Sequence, residues 1–168
     1  GYAGHVRDVA GRFEGLSIHP DVWDRVQPRS SASPHLFIKA IELLELSDPA
    51  QAHGGFAERP SIKAAKELRR SFFSEAQDIS NWSVQRTICD RIGVSFDAVL
   101  GRIETGEAIA RLAADYELAQ SLGVQGSPTY LMNEGRQKLF GNVSYNILVA
   151  NIAELTADKG DENASSCS

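Results

Sequence analysis

Apolar residues recur three and four positions apart over most of the first 120 residues, and the pattern changes abruptly after Gly123. In HVRDVAGRF (5–13), Val6, Val9, Ala10 and Phe13 fall on one helical face and Gly15 follows as a stop, so the end of an amphipathic helix is expected. LSIH (16–19) alternates apolar and polar ahead of Pro20, which predicts a short strand. Turn-forming residues fill the chain from Pro20 to Ser33. Ser33 and Pro34 then supply an N-cap and a first-turn proline for HLFIKAIELLE, whose apolar positions cover most of the circumference and predict a central helix.

After a loop over 47–60, Pro60 opens SIKAAKELRRSFFSEAQ, with Ile62, Ala65, Leu68, Phe72 and Phe73 along one side and Arg69-Arg70 on a solvated face. Asn81 to Ile92 predicts a third helix stopped by Gly93, and Ser95 to Ile103 a fourth capped by Ser95. Thr105 is placed to cap the longest helix, GEAIARLAADYELAQSLG, which keeps the 3.6 period until Gly123 ends it. TYLM (129–132) and RQKLF (136–140) then read as two strands joined by Asn133-Glu134-Gly135, a hairpin. Ser144 precedes a last helix, YNILVANIAEL. The order is helix, strand, helical block, strand, strand, helix, with no internal repeat, so the class is α/β. One domain is expected over 1–157, followed by a polar, disordered tail over 158–168.

With 168 residues and 42% hydrophobic content the chain can bury a core. A net charge of −5 without any basic run argues against a nucleic-acid surface or a helix for anionic membranes. No apolar run approaches the roughly 18 residues of a membrane span, and GYAGHVRDV has no signal-peptide core. Neither nucleic acid nor membrane is an expected partner. The chain starts at Gly1 rather than Met, so removal of a leader or a longer segment is expected; a cytoplasmic location is favoured over a periplasmic one.

Cys89 and Cys167 lie far apart, with no C-x-x-C and no histidine at ligand spacing, which gives neither a disulfide framework nor a zinc site. Cys89 shares a helical face with Gln85, Ile88 and Ile92 and reads as a small buried hydrophobe, while Cys167 sits in the polar tail. His5, His19, His35 and His53 are dispersed one per element, so no metal site is expected. Trp23 and Trp82 are expected to pack against loop or helix surfaces rather than to stack on bases. The sequons at Asn81, Asn142 and Asn163 are short enough to arise by chance.

The segments PRSSASPHLFIKAIELLE and AADYELAQSLGVQGSPTYLMNEGRQKLFG carry a resemblance. A helix, Gly-Val-x-Gly-Ser-Pro-Thr, a strand, a Gly turn, a strand, Gly141 and a helix resemble the C-terminal ββα half of the thioredoxin fold in the DsbA/FrnE-like thiol-disulfide oxidoreductases. The helical block over 34–122 resembles the all-helical insertion that this family places between the two halves of its thioredoxin motif, and 123–157 resembles the ββα half. What the resemblance implies is a thioredoxin-like fold with a cis Ser127-Pro128 bond at a strand start. Gly126, Ser127, Pro128 and Thr129 would be the substrate-binding residues, with backbone groups free to pair with an extended chain. His35, in the first turn of the insertion, is a weaker candidate for the same cleft.

One departure limits what carries over. The family's first strand and its C-x-x-C at a helix N-terminus, where the helix dipole favours the thiolate, have no counterpart in this sequence. No catalytic residue is therefore assigned, and the fold expected is thioredoxin-like without that first strand and motif. Lacking the strand between LSIH and TYLM, the sheet would be split and its open edges would favour a homodimer; a fragment of a longer protein is the expectation.

Three functions follow. The first is dithiol-disulfide exchange in a longer parent, with protein or small-molecule thiols and disulfides as partners, no cofactor, and this chain inactive alone. The second is a glutathione-dependent isomerase or transferase of the 2-hydroxychromene-2-carboxylate isomerase or kappa-class type, with glutathione as cofactor. The third is a non-catalytic thioredoxin-fold binding domain.

Overall fold

The structure, a computed structural model, describes residues 1–16, 18–48 and 55–157. His53, Cys167, the Asn163 sequon and the tail over 158–168 lie outside the described residues. Along the chain run α1 (Tyr2–Ala10), α2 (Ala32–Ser47), a 3-10 turn (Phe56–Glu58), α3 (Pro60–Phe73), α4 (Trp82–Ile92) and α5 (Phe96–Glu104). They are followed by α6 (Glu107–Ser121), β1 (Thr129–Met132), β2 (Gln137–Phe140) and α7 (Tyr145–Thr156). Two compact units result, Gly1–Asp115 and Tyr116–Ser168.

In the first unit, α2 is central because it is apolar on most sides: it packs against α3 and α5, and α3 packs in turn on α4. Phe37, Ala40 and Ile41 of α2 meet Ala64 and Leu68 of α3, Ile88 and Cys89 of α4, and Phe96 and Val99 of α5 in one buried cluster. Local signals set the helix ends. The Asn81 side chain accepts from the Ser83 N–H and the Ser95 hydroxyl from the Ala98 N–H, while Gly93 stops α4 at a left-handed φ of 74°. Cys89 is fully buried, and burial pushes its thiol up to about 11. Gln85, a fully buried polar side chain one turn before it, is satisfied by donating 2.9 Å bonds to the Ser33 hydroxyl and the Ile79 carbonyl.

Several expected features shift. α1 ends at Ala10, because Gly11 already closes it, and not near Gly15. α2 starts two residues before Pro34 with Ser31 at the cap; Ser33 lies inside the first turn and donates to the Ser80 carbonyl at 3.0 Å. On α3 the buried stripe is Ser61, Ala64, Leu68, Ser71 and Phe72, and the helix ends at Phe73. Thr105 closes α5 in a helical conformation and does not cap α6. The strand expected at LSIH does not form in the described residues 16, 18 and 19. A strand is stabilised by a ladder partner, and among the described residues no strand pairs with 16, 18 and 19; the His19 N–H donates instead to the Phe73 carbonyl at the end of α3, at 2.8 Å.

The second unit holds the hairpin and α7. β1 and β2 pair antiparallel from Thr129↔Phe140 to Met132↔Gln137 and form a two-stranded sheet, as the sequence predicted. Asn133, Glu134 and Gly135 all take positive φ in the connection. No residue between Tyr116 and Ala157 is fully buried.

Candidate functional site

The hairpin is positioned by the way α6 ends. Gly123 takes a left-handed φ of 61°, its N–H donates to the Gln120 carbonyl at 2.9 Å, and the Val124 N–H reaches back to the Ala119 carbonyl at 2.8 Å. That pair of bonds is the Schellman stop, which redirects the chain while satisfying helix carbonyls. Lys138 of β2 meets the carbonyls just past the helix: its Nζ donates to Leu122 O at 2.5 Å and to Gly123 O at 3.0 Å, a cation at the negative end of a helix. The strand is thereby tied to the helix end.

Between these anchors runs Gly126-Ser127-Pro128-Thr129. The Ser127-Pro128 bond is cis. The Thr129 hydroxyl donates to the Gly126 carbonyl, closing the segment into a tight loop. The ring of Phe140 lies over Gly126, so close that a Cβ there would stand 3.1 Å from the ring. Opposite Pro128, the Gly141 N–H donates to its carbonyl at 3.0 Å and extends the ladder by one pair.

That last bond fixes which edge is open. Hydrogen-bonded and non-bonded pairs alternate in an antiparallel ladder, so 128/141, 130/139 and 132/137 are the bonded pairs. The N–H and C=O groups of Thr129 and Leu131 therefore point to the far edge of β1, which has no neighbouring strand among the described residues. Ser127, just upstream, makes no hydrogen bond with any described residue. Ser127, Thr129 and Leu131 thus offer a row of backbone donors and acceptors to an extended chain. A small pocket of about 190 Å³, lined by Gly123, Gln125, Thr129, Lys138 and Phe140, adjoins this segment.

The four residues Gly126 to Thr129 come together as one loop, and His35 belongs to the other unit, exposed on the first turn of α2. Lys138 and Phe140 were not singled out by sequence. Their signal was the alternation of β2, which puts both on one face of the strand, but nothing local tells that this face meets a helix end. Chemically the loop can hold a peptide and align it; the described residues around it include no thiol, since Cys89 is the free cysteine among them and lies in the α4 core. Among the described residues no group of three or more histidine, cysteine or carboxylate side chains could hold a metal ion.

Residues 47–153 match the family model of the DSBA-like thioredoxin domain. No curated protein matches the chain. The matched stretch begins at the end of α2, takes in the helices α3 to α6 and both strands, and closes within α7, so it spans helical insertion and ββα half alike. The helix-rich α/β architecture, with a cis-proline at the start of the hairpin, is that of a thioredoxin-like fold of this type. The match covers more than half of the 168 residues, and the chain belongs to the DSBA-like thioredoxin domain family.

Proposed function

We propose that this chain serves thiol-disulfide exchange as the part that holds the substrate chain, with Gly126, Ser127, Pro128 and Thr129 as the holding residues. The observation that carries the reading is the open backbone row of Ser127, Thr129 and Leu131. Strand addition at such an edge gives affinity through main-chain hydrogen bonds and leaves side-chain choice loose, which suits a protein that must accept many thiol-bearing chains. In the exchange itself a thiolate attacks one sulfur of a disulfide, a new S–S bond forms and the other sulfur leaves as thiolate. The sequence holds no C-x-x-C pair, so the exchanging dithiol comes from outside these 168 residues.

The test is a titration of the isotope-labelled chain with an extended cysteine-containing peptide, followed by amide shifts. The amides of Ser127, Thr129 and Leu131 shift first, and N-methylation of alternate peptide residues abolishes the effect. Shifts confined to other residues, or an unmodified response to the N-methylated peptide, would count against the reading. Insulin reduction by the chain alone stays at background; turnover that disappears in Cys89→Ser would overturn it.

A further inference from the structure

The first unit contains a half-open cavity of about 420 Å³ between the 20–31 segment, the first turns of α2 and the last turns of α3. That volume falls within the roughly 300–1,000 Å³ of small-molecule sites. Helix geometry explains why one cleft forms: His35 and Ile38 share a face of α2, and Ala65, Leu68, Arg69 and Phe72 share a face of α3. The wall is aromatic. Trp23, held at the uncommon φ of 63° by a tight turn, sets its ring edge-to-face on Phe72 at 5.0 Å, and Phe72 meets Phe73 in the same way at 5.0 Å.

Its permanent charge is that of Arg69. The ionisable side chains lining the cavity are His35 and Arg69, and no carboxylate lines it. Arg69, which is exposed, has no ion pair or hydrogen bond with a described residue, unlike its neighbour in sequence. Arg70 holds Glu67 at 2.6 Å and Glu75 at 2.7 Å, and Arg91 shares both at 3.4 and 3.5 Å. Arg69 thus places an unpaired guanidinium at the rim of an apolar, aromatic cleft.

We propose that this cavity binds a small carboxylate with an apolar body, the carboxylate held by the Arg69 fork and the body against Trp23, Phe72 and Ile38. A guanidinium binds a carboxylate through two parallel N–H···O bonds, which gains strength where the surroundings exclude water. A neutral ligand of the same shape gains only the apolar contact. The site is independent of the hairpin edge, since its lining belongs wholly to the first unit.

The test uses the full chain carrying Trp82→Phe, which leaves Trp23 as its sole tryptophan. 4-Phenylbutyrate and its neutral amide, 4-phenylbutyramide, are titrated while Trp23 emission is followed. The carboxylate is expected to bind saturably and at least about tenfold more tightly than the amide. Arg69→Gln brings the two within about twofold of each other without changing the melting temperature, and Arg69→Lys restores part of the preference. Equal affinity of acid and amide, a preference that survives Arg69→Gln, or no saturable change in Trp23 emission up to about 10 mM each overturns the proposal. The acid-against-amide comparison in the Trp82→Phe protein decides the matter even should an Arg69 variant not fold.

Discussion

The carboxylate of Glu45, near the end of α2, holds the first turn of α3 through Ser61, accepting from its backbone N–H and, at 3.0 Å, from its hydroxyl. Both residues are buried. The need for this contact comes from α3 itself: Arg59 at its cap offers no side-chain bond and Pro60 has no N–H, so Ser61 carries the first donor to be met. A negative charge at that end also complements the helix dipole. Glu45→Ala leaves a buried donor unmet and is expected to cost about 2–3 kcal/mol in thermal or denaturant melts. Glu45→Gln, which keeps an acceptor, costs less.

Cys89 is expected to resist alkylation in the folded protein at pH 8 and to react once denatured, read by mass spectrometry of its peptide. Its thiol, pushed up to about 11, keeps its proton where the same group in the unfolded chain ionises near 9.0. The folded state therefore holds more protons between those values, and stability falls as pH rises through that window, by on the order of 2 kcal/mol. In Cys89→Ala that part of the alkaline decline is absent.

The opposite sign holds for Glu67. The hydrogen bond from Arg70 holds its carboxyl below the usual carboxylate value. The unfolded chain then binds the proton first as acid is added, so the contribution is present at neutral pH and is lost as pH falls below about 4. The pair is partly exposed, so the effect stays at about 1 kcal/mol or less. Melting temperatures of the parent and Glu67→Gln should differ at pH 7 and converge near pH 2.

Gly123→Ala is expected to cost about 1–2 kcal/mol in the second unit, since a Cβ meets a φ of 61° and stands 2.9 Å from Lys138 Nζ. Relief requires Lys138 to leave the two carbonyls at the end of α6. Lys138→Met alone should therefore weaken the same region, and the double variant should be less destabilised than the sum. Hydrogen exchange of amides 118–124 and 137–140 reads all three.

How much of this was legible in the sequence depends on how local its cause is. The caps at Asn81 and Ser95, the stop at Gly93 and the hairpin between Met132 and Gln137 are set by residues adjacent in the chain. Cys89 was readable as core because Gln85, Ile88 and Ile92 share its face. LSIH failed because alternation describes a strand's faces and not its ladder partner. Ser33 and Thr105 failed as caps because each has a better use: Ser33 meets Gln85, 52 residues away, and Thr105 sits in a helical conformation at the end of α5. The Gly126–Thr129 loop was legible through its family resemblance, whereas Arg69 looked like any solvated arginine. It is exposed, as that reading has it, and what distinguishes it is its place on the lining of the cavity, which is settled only in three dimensions.

The absence of any fully buried side chain between Tyr116 and Ala157 has a kinetic meaning. A hairpin and a helix without an interior of their own open at little cost in free energy, whereas the amides of α2 to α5 open only with the whole core. Exchange with deuterium should sweep through β1, β2 and α7 well before it reaches Phe37 or Ile88. An extended chain laid along Thr129 and Leu131 would slow that sweep, so a partner would be registered first as a change in how often the segment opens.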